Sequence, residues 1–407
     1  MSITNFLREN APYLSAGALL TFLSSFGQTF FISIFAGEIM AAFSLTHGQW
    51  GLIYGVGTFS SAAIMVWAGG LTDRFRVRGL APVILIMLAL ACLAMAINPV
   101  WWGLFFVIFA LRFAGQGMTS HIAIVAMSRW FIATRGRALA TATLGFAAGE
   151  ALLPLLFVAL MVAVDWRVLW VVAAMTSLLG IVPLLRLLRL ERTPASLAQT
   201  DQSVGMGGDH WTRNQTLRHF LFWFMVPALL GPSAFSTAFF FHQVHFADLK
   251  SIAHVELVAM YPFFTLISIG AMIASGWALD RFGTPPLIPY FQIPMIVGFV
   301  IFAYATGPLG LLAGLFFMGL TTGFNTTIPA AFWAEFYGTA HIGSIKAMAT
   351  AVMVLGSAIG PGITGVLIDL GIGLETQYIL IGGYFIIATV MMMIGVARAR
   401  PSLAVAA

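Results

Sequence analysis

Two charged residues lie deep within long apolar segments of the sequence. Arg112 is about 18 Å along the fourth segment and Glu150 is about 20 Å along the fifth, at the 1.5 Å rise per residue of a helix. These depths are similar across a bilayer of about 40 to 45 Å with its headgroups, so the guanidinium and the carboxylate can meet. Such a pair is either a permanent ion pair between two helices or a site that handles an anion and a proton.

The second alternative follows from the electrostatics of a poorly hydrated carboxyl group. Desolvation favours its protonated form, whereas a neighbouring arginine favours its ionised form, so an anion that competes for Arg112 would promote protonation of Glu150. The anion and the proton would then cross together. In the structural alternative, removing one partner of the buried pair would cost about 3 to 5 kcal/mol. The sequence leaves both alternatives open.

Polar residues at helical spacing indicate which faces of the apolar segments look inward, because a polar group in hydrocarbon needs a partner or a wet cavity. Serine and threonine can bond to the preceding turn of their own helix, so the side-chain amides are the stronger candidates. Together with Arg112 and Glu150, they form the predicted binding and coupling set. The four amides are Gln28, Gln116, Gln243 and Asn325, in the first, fourth, seventh and tenth segments.

The seventh segment carries two further features. Gly231 and Pro232 predict a kink or break near mid-membrane, since proline removes a backbone hydrogen bond and the freed carbonyls need a neighbour, water or solute. His242 and His245 lie near the outer end of this segment. Interfacial hydrogen bonding is the default for these histidines, and a gating or proton role is the alternative.

The elements that position these residues are predicted to span a membrane. Hydrophobic residues make up 60% of the chain, charged residues only 8%, and the mean hydropathy is +0.97. Twelve apolar segments of roughly 20 residues or more can each cross a hydrocarbon core of about 30 Å. Of the 19 Lys and Arg, only Arg167 and Lys250 fall on the outer side and Arg112 within a segment, which places both termini in the cytoplasm. The basic charge therefore reflects membrane orientation and argues against a nucleic-acid partner.

The charged loop GGLTDRFRVRG after the second segment has a partial copy, GWALDRFG, after the eighth. Asp73 and Asp280 are 207 residues apart, and several glycines and prolines repeat at the same offset. An internal repeat of this kind predicts two like-oriented six-helix bundles, residues 1–188 and 217–407. Residues 189–216 between them are polar, without apolar periodicity, and are predicted to be a cytoplasmic linker.

The motif GGLTDRFRVRG resembles the signature loop of the major facilitator superfamily. RFAGQG, from Arg112 to Gly117, is similar to the superfamily's fourth-helix motif, and RWFIATRGRALATA resembles a pattern of its monocarboxylate and oxalate/formate branches. The resemblance implies an all-α membrane protein with twelve transmembrane helices in two pseudo-symmetric six-helix bundles. It also implies that Asp73 engages the start of the eleventh helix as a conformational lock. The lock residues carried over are Gly69, Asp73, Arg74, Arg78, Asp280 and Arg281.

These observations predict a secondary active transporter that moves a small solute by alternating access. It is expected to act as a monomer in a bacterial inner membrane, driven by the proton gradient and without a metal or another cofactor. The sequence has no phosphate-binding GxxxxGK[ST] loop, no HExxH and no convincing nucleophile with a base, which disfavours ATP drive and catalysis. Arg112 favours proton symport of a small organic anion. The alternative is proton-driven export of drugs or other toxic solutes, since exporters of the superfamily carry the same arginine.

Overall fold

The computed structural model describes residues 3–131, 134–189 and 204–403, without the side chains of Ile3, Thr4, Asp73 and Arg135. The regular elements within these ranges are helices, and twelve of them correspond to the predicted apolar segments. The first, α1, begins as Ile3–Leu23 and continues beyond a break as Thr29–Ile32 and Ala36–Phe43. The others are α2 (His47–Ala68), α3 (Val77–Ile97), α4 (Gly103–Trp130), α5 (Arg135–Met161), α6 (Trp166–Leu187), α7 (Phe220–Phe241), α8 (Tyr261–Phe282), α9 (Ile293–Tyr304), α10 (Pro308–Tyr337), α11 (Ile342–Asp369) and α12 (Leu374–Ala399).

Most of these helices have the length and composition of a membrane span. Over the described ranges, ten helices are long and apolar enough to cross a bilayer, and the two halves of α1 form an eleventh, bent span. Helix α9 has only 12 residues, because the chain from 284 to 292 forms turns before it. The prediction of an all-helical membrane protein is confirmed.

The chain folds into two compact units. One comprises the described part of residues 1–199 together with Phe240–His245, and the other comprises the described part of residues 200–239 and 246–407. Six residues from the end of α7 and just beyond it therefore group with the first unit. The bundle boundaries at residues 188 and 217 stay a prediction.

The internal repeat places glycines at matching positions, and in each unit these glycines allow two helices to pack closely. A Cβ atom on Gly149 of α5 would overlap the hydroxyl group of Ser25, at the end of the first part of α1. In the other unit, a Cβ atom on Gly356 of α11 would lie 2.7 Å from the carbonyl oxygen of Leu230 in α7. Glycine thus allows α5 to touch α1 and α11 to touch α7, as small residues do in membrane bundles.

No break occurs at Gly231 and Pro232, because α7 is a continuous helix from Phe220 to Phe241. The kink that the sequence offered as the other alternative stays a prediction. Pro232 cannot donate the backbone hydrogen bond that the carbonyl of Ala228 would otherwise accept. The side-chain amide of Gln292, which precedes α9, donates to that carbonyl instead. The freed carbonyl thus finds a protein neighbour, one of the three partners that the sequence left open.

Candidate solute-binding site

Helix α1 is broken at Gln28. The chain passes through a short 3₁₀ turn, Ser24–Gly27, and Gln28 then adopts an extended conformation with ψ of 154°. The backbone N–H of Phe31, which in an α-helix would bond to the carbonyl of Gly27, bonds instead to that of Gln28 at 3.2 Å. The two parts of α1 meet at an angle of 48°. The break therefore releases the carbonyl of Gly27 for a partner outside its own helix.

The break faces an irregular stretch of α4. Residues Arg112–Thr119 form a π-helix, a rare conformation that often occurs at functional sites. The two backbones touch because both residues at the crossing are glycines: a Cβ atom on Gly115 would lie only 2.6 Å from the Cα atom of Gly27. The crossing brings the start of the π-helix within reach of the released carbonyl.

Arg112 occupies this crossing and is 1% exposed. Its Nη1 donates to the carbonyl oxygen of Gly27 at 3.1 Å and to the hydroxyl oxygen of Thr29 at 3.3 Å. Its Cζ lies 5.3 Å from the centroid of the Tyr54 ring, a cation–π contact, and the Tyr54 hydroxyl lies 2.5 Å from that of Thr29. Its Nε is buried and has no hydrogen-bond partner in the part of the chain that the structure describes. Neutral oxygens and a ring thus hold the guanidinium, and its Nε is left as a buried donor.

Glu150, the other charge expected deep in the membrane, lies on α5 and is partly buried. It follows Gly149, which packs against Ser25 of the broken helix. The hydrogen bonds of Arg112 described above go to Gly27 and Thr29 rather than to Glu150. The structure therefore places both residues on helices that pack against α1, and their direct pairing stays a prediction.

The four amides selected from the sequence have different surroundings. Gln28 forms the break and Gln116 lies in the π-helix, so both belong to elements of the arginine site. Gln243 is fully buried and donates from Nε2 to the hydroxyl group of Ser33 at 2.7 Å, which fastens it to α1. Asn325 is partly buried on α10, in the other unit.

Phe241, at the end of α7, shares an aromatic neighbour with Arg112. Its ring centroid lies 4.6 Å from that of Tyr54 and 5.4 Å from that of Trp50, on which it stacks. Phe241 and the guanidinium thus both contact the Tyr54 ring, so the end of α7 covers one side of the arginine site. The sequence offered one signal for this surface: Trp50, Tyr54, Thr58 and Ser61 are all buried and recur at helical spacing on α2.

The two histidines predicted as a gate lie in a cluster with a third that the sequence did not single out. The ring centroid of His47, at the start of α2, lies 4.5 Å from that of His245 and 5.9 Å from that of His242. Across the described residues, no group of His, Cys, Asp and Glu has the arrangement of a metal site. A gating role for His242 and His245 stays a prediction.

The predicted lock residues lie between the end of α2 and the start of α3, and at the end of α8. The side chain of Asp73 is outside the described part of the structure, so its engagement with the eleventh helix stays a prediction. Arg78 donates to the carbonyl of Arg189 at 3.4 Å. Arg281 lies over the ring of Trp277 at 5.6 Å. Of the others, Gly69 follows α2 directly, Arg74 ends the short helix Leu71–Arg74, and Asp280 is exposed near the end of α8.

One polar contact beside the second motif copy, GWALDRFG, was not predicted from the sequence. Glu335, near the end of α10, accepts hydrogen bonds from the backbone N–H and the hydroxyl of Thr284, at 2.9 and 2.6 Å. Thr284 directly follows Gly283, whose φ of 71° favours glycine. Nothing in the spacing of the motif pointed to an acid 51 residues further along the chain.

Comparisons with known proteins agree with the fold. The chain is 28% identical over 285 residues to monocarboxylate transporter 13 of Bos taurus; the match covers 68% of this chain and 63% of the relative. A crystal structure of a bacterial homologue of the human lysosomal transporter Spinster, inward-facing and unoccupied, has a TM-score of 0.74 at 14% identity and covers 98% of this chain and 99% of that one. The nucleoside transporter NupG has a TM-score of 0.70 at 14% identity and covers 95% and 98%.

At 14% identity, the two structural matches show the fold alone. The shared fold confirms the predicted twelve-helix architecture. The sequence match to the family is more direct. The family model of the Major Facilitator Superfamily covers residues 17–361, from α1 into α11. The chain therefore belongs to the Major Facilitator Superfamily, a family of membrane transporters.

Proposed function

We propose that this protein transports a small organic anion together with a proton, and that Arg112 binds the anion. The observation that carries this proposal is the state of the guanidinium: it is buried, its hydrogen bonds go to neutral oxygens, and its Nε has no partner within the described ranges. A buried charge is costly unless it is paired. An oxyanion supplies both the opposite charge and an acceptor for the spare donor.

Anion binding would exchange one acceptor of Arg112 for another. A carboxylate oxygen that accepts from Nη1 takes the place of the Gly27 carbonyl, while the Tyr54 ring keeps the guanidinium in position. The exchange releases the broken part of α1 from α4. Because the solute binds differently to the tied and released arrangements, its binding shifts the equilibrium between them.

Glu150 is the proposed proton carrier. Its helix packs on α1 through Gly149, so a movement of the released α1 reaches it directly. Transport of one proton with one monoanion carries no net charge, so a pH gradient alone would drive accumulation. The bovine relative is a monocarboxylate transporter by name, which supports an anionic solute of this class.

Uptake of small organic anions into proteoliposomes with an imposed pH gradient tests the proposal. We expect accumulation with the wild-type protein. Arg112→Gln should abolish both accumulation and exchange, whereas Glu150→Gln should abolish accumulation and leave exchange intact. The matched control is Glu256→Gln, an exposed acid between α7 and α8, which should leave both unchanged. Gradient-driven extrusion of solutes, with no anion accumulated, would contradict symport and favour proton-driven export.

A further inference from the structure

Part of the polar connection between α6 and α7 packs into the second unit. Met206 is 1% exposed and belongs to an apolar cluster with Phe222 of α7, Phe336 of α10 and Ile345 of α11. The sequence predicted a linker without a core of its own across residues 189–216. Its described part, from residue 204 onward, contributes a side chain to the core shared by α7, α10, α11 and α12.

Backbone contacts fasten the same segment to the end of α10. The N–H of Trp211 donates to the carbonyl oxygen of Tyr337 at 3.1 Å, and its indole Nε1 donates to the carbonyl oxygen of Met206 at 3.0 Å. Tyr337 is the last residue of α10, so its carbonyl has no partner within the helix. A Cβ atom on Gly205 would lie 2.6 Å from the backbone nitrogen of Gly338, which leaves room for glycine alone.

A ring cluster extends this contact to the start of α7. The Trp211 ring lies edge-on to Tyr337, at a centroid distance of 5.5 Å, and to His219, at 4.8 Å. His219 directly precedes α7, and its Nδ1 lies 3.5 Å from the hydroxyl oxygen of Tyr337. Trp211 thus joins the end of α10 to the beginning of α7.

His219 is the titratable group at the centre of this cluster. Burial lowers its pKa from the usual 6.5, so the packed arrangement favours the neutral ring. Only the neutral ring can accept a hydrogen bond from Tyr337 at Nδ1. A surface cavity lies beside His219 and Trp211, and the charged groups that line it are Asp209 and Arg218. Since the released ring binds a proton more readily than the packed one, the packed arrangement loses stability as the pH falls below about 6.5.

We infer that residues 205–212 form a clasp that ties α10 to α7, and that protonation of His219 releases it. The clasp makes the adjoining ends of these two helices a single rigid piece. Acidification on the side of the membrane that holds the linker would free them to move separately. This device is independent of the solute and of Arg112.

Hydrogen exchange measured by mass spectrometry on the full chain in lipid nanodiscs tests the clasp. Trp211→Ala should speed exchange at least about tenfold in residues 205–212 and in the last turn of α10, because it removes a partly buried ring and the indole hydrogen bond to the carbonyl of Met206. In the wild-type protein, these peptides should exchange faster at about pH 5.5 than at about pH 7.5, after correction for the intrinsic rate.

Two histidine variants test whether His219 itself is the group that responds to pH. His219→Gln should remove the pH response, and His210→Gln, in the same segment but outside the ring cluster, should retain it. Unchanged protection of α10 in Trp211→Ala would overturn the clasp, and an unchanged pH response in His219→Gln would overturn its trigger. The assay needs no solute, so its failure leaves the transport proposal standing, and failure of anion uptake leaves the clasp standing.

Discussion

The guanidinium Nη1 of Arg112 and the carbonyl oxygen of Gly27 lie 3.1 Å apart, so a charge on α4 is bound by the interrupted backbone of α1. The contact requires the break in α1 and the π-helical stretch of α4 that crosses it. A straight α1 would use that carbonyl within its own helix. A cation held by a neutral dipole can exchange it for an anion at lower cost than a cation already paired with an acid. The tie between α1 and α4 is therefore a contact that a solute can replace.

The glycine crossing should tolerate no added methyl group. In Gly27→Ala the new Cβ would lie 2.7 Å from the Cα atom of Gly115 and 2.9 Å from the backbone nitrogen of Gln116, so the helices must separate. We expect a loss of about 1 to 3 kcal/mol in thermal unfolding of the purified protein, together with loss of anion uptake. Gly383→Ala is the matched control, because no atom lies within 4 Å of its added Cβ. Equal behaviour of the two variants would show that the crossing is not tight.

Removing the charge of Arg112 should cost little stability. Arg112→Gln deletes two hydrogen bonds to neutral oxygens, each worth about 0.5 to 1.5 kcal/mol, and also removes an unpartnered buried donor. Breaking a buried ion pair would instead cost about 3 to 5 kcal/mol. Thermal unfolding of Arg112→Gln beside Glu150→Gln distinguishes the two cases. A large, equal loss in both variants would mean that the two residues form a permanent structural pair.

The twelve membrane segments and the fold were predictable, because hydrocarbon demands apolar segments of a minimum length and leaves few charges inside them. Arg112 stood out for the same reason. The hydrogen-bond partner of Arg112 could not be predicted, because it is the backbone carbonyl of Gly27 and every residue has such a carbonyl. The break of α1 at Gln28 involves no proline, and its position depends on the close approach of Gly27 to Gly115, 88 residues further along the sequence.

The continuity of α7 at Pro232 could not be predicted for a similar reason. Proline predicts an unsatisfied carbonyl, but whether the helix breaks depends on a donor elsewhere, here the amide of Gln292. Met206 and Trp211 were assigned to a linker because two apolar residues in a polar stretch form no periodic pattern. Their burial depends on the end of α10, which the sequence places more than 120 residues later.

The donor that serves α7 should matter for stability. Gln292→Leu leaves the carbonyl of Ala228 buried without the donor it now has, so we expect a loss of about 1 to 3 kcal/mol in thermal unfolding, and faster exchange in the middle of α7. Tyr384→Phe is the matched control, because the Tyr384 hydroxyl donates to the carbonyl of Pro227 at 2.8 Å. When this hydroxyl is removed, the carbonyl of Pro227 still has a donor in its own helix, the backbone N–H of residue 231. A smaller effect of Gln292→Leu than of Tyr384→Phe would contradict this account of how α7 stays continuous.

Phe241 should control access to the arginine site. It stacks on Trp50 and contacts Tyr54, whose ring also holds Arg112, so Phe241→Ala would open a gap beside the guanidinium. The single cysteine, Cys92, is buried, which allows Thr29→Cys to report on this gap through its rate of labelling by a membrane-impermeant thiol reagent. We expect labelling at least about tenfold faster when Phe241→Ala is added. Phe106→Ala, which removes a ring that is 60% exposed, should leave the rate unchanged. Equal rates with and without the Phe241 ring would show that Phe241 does not close the site.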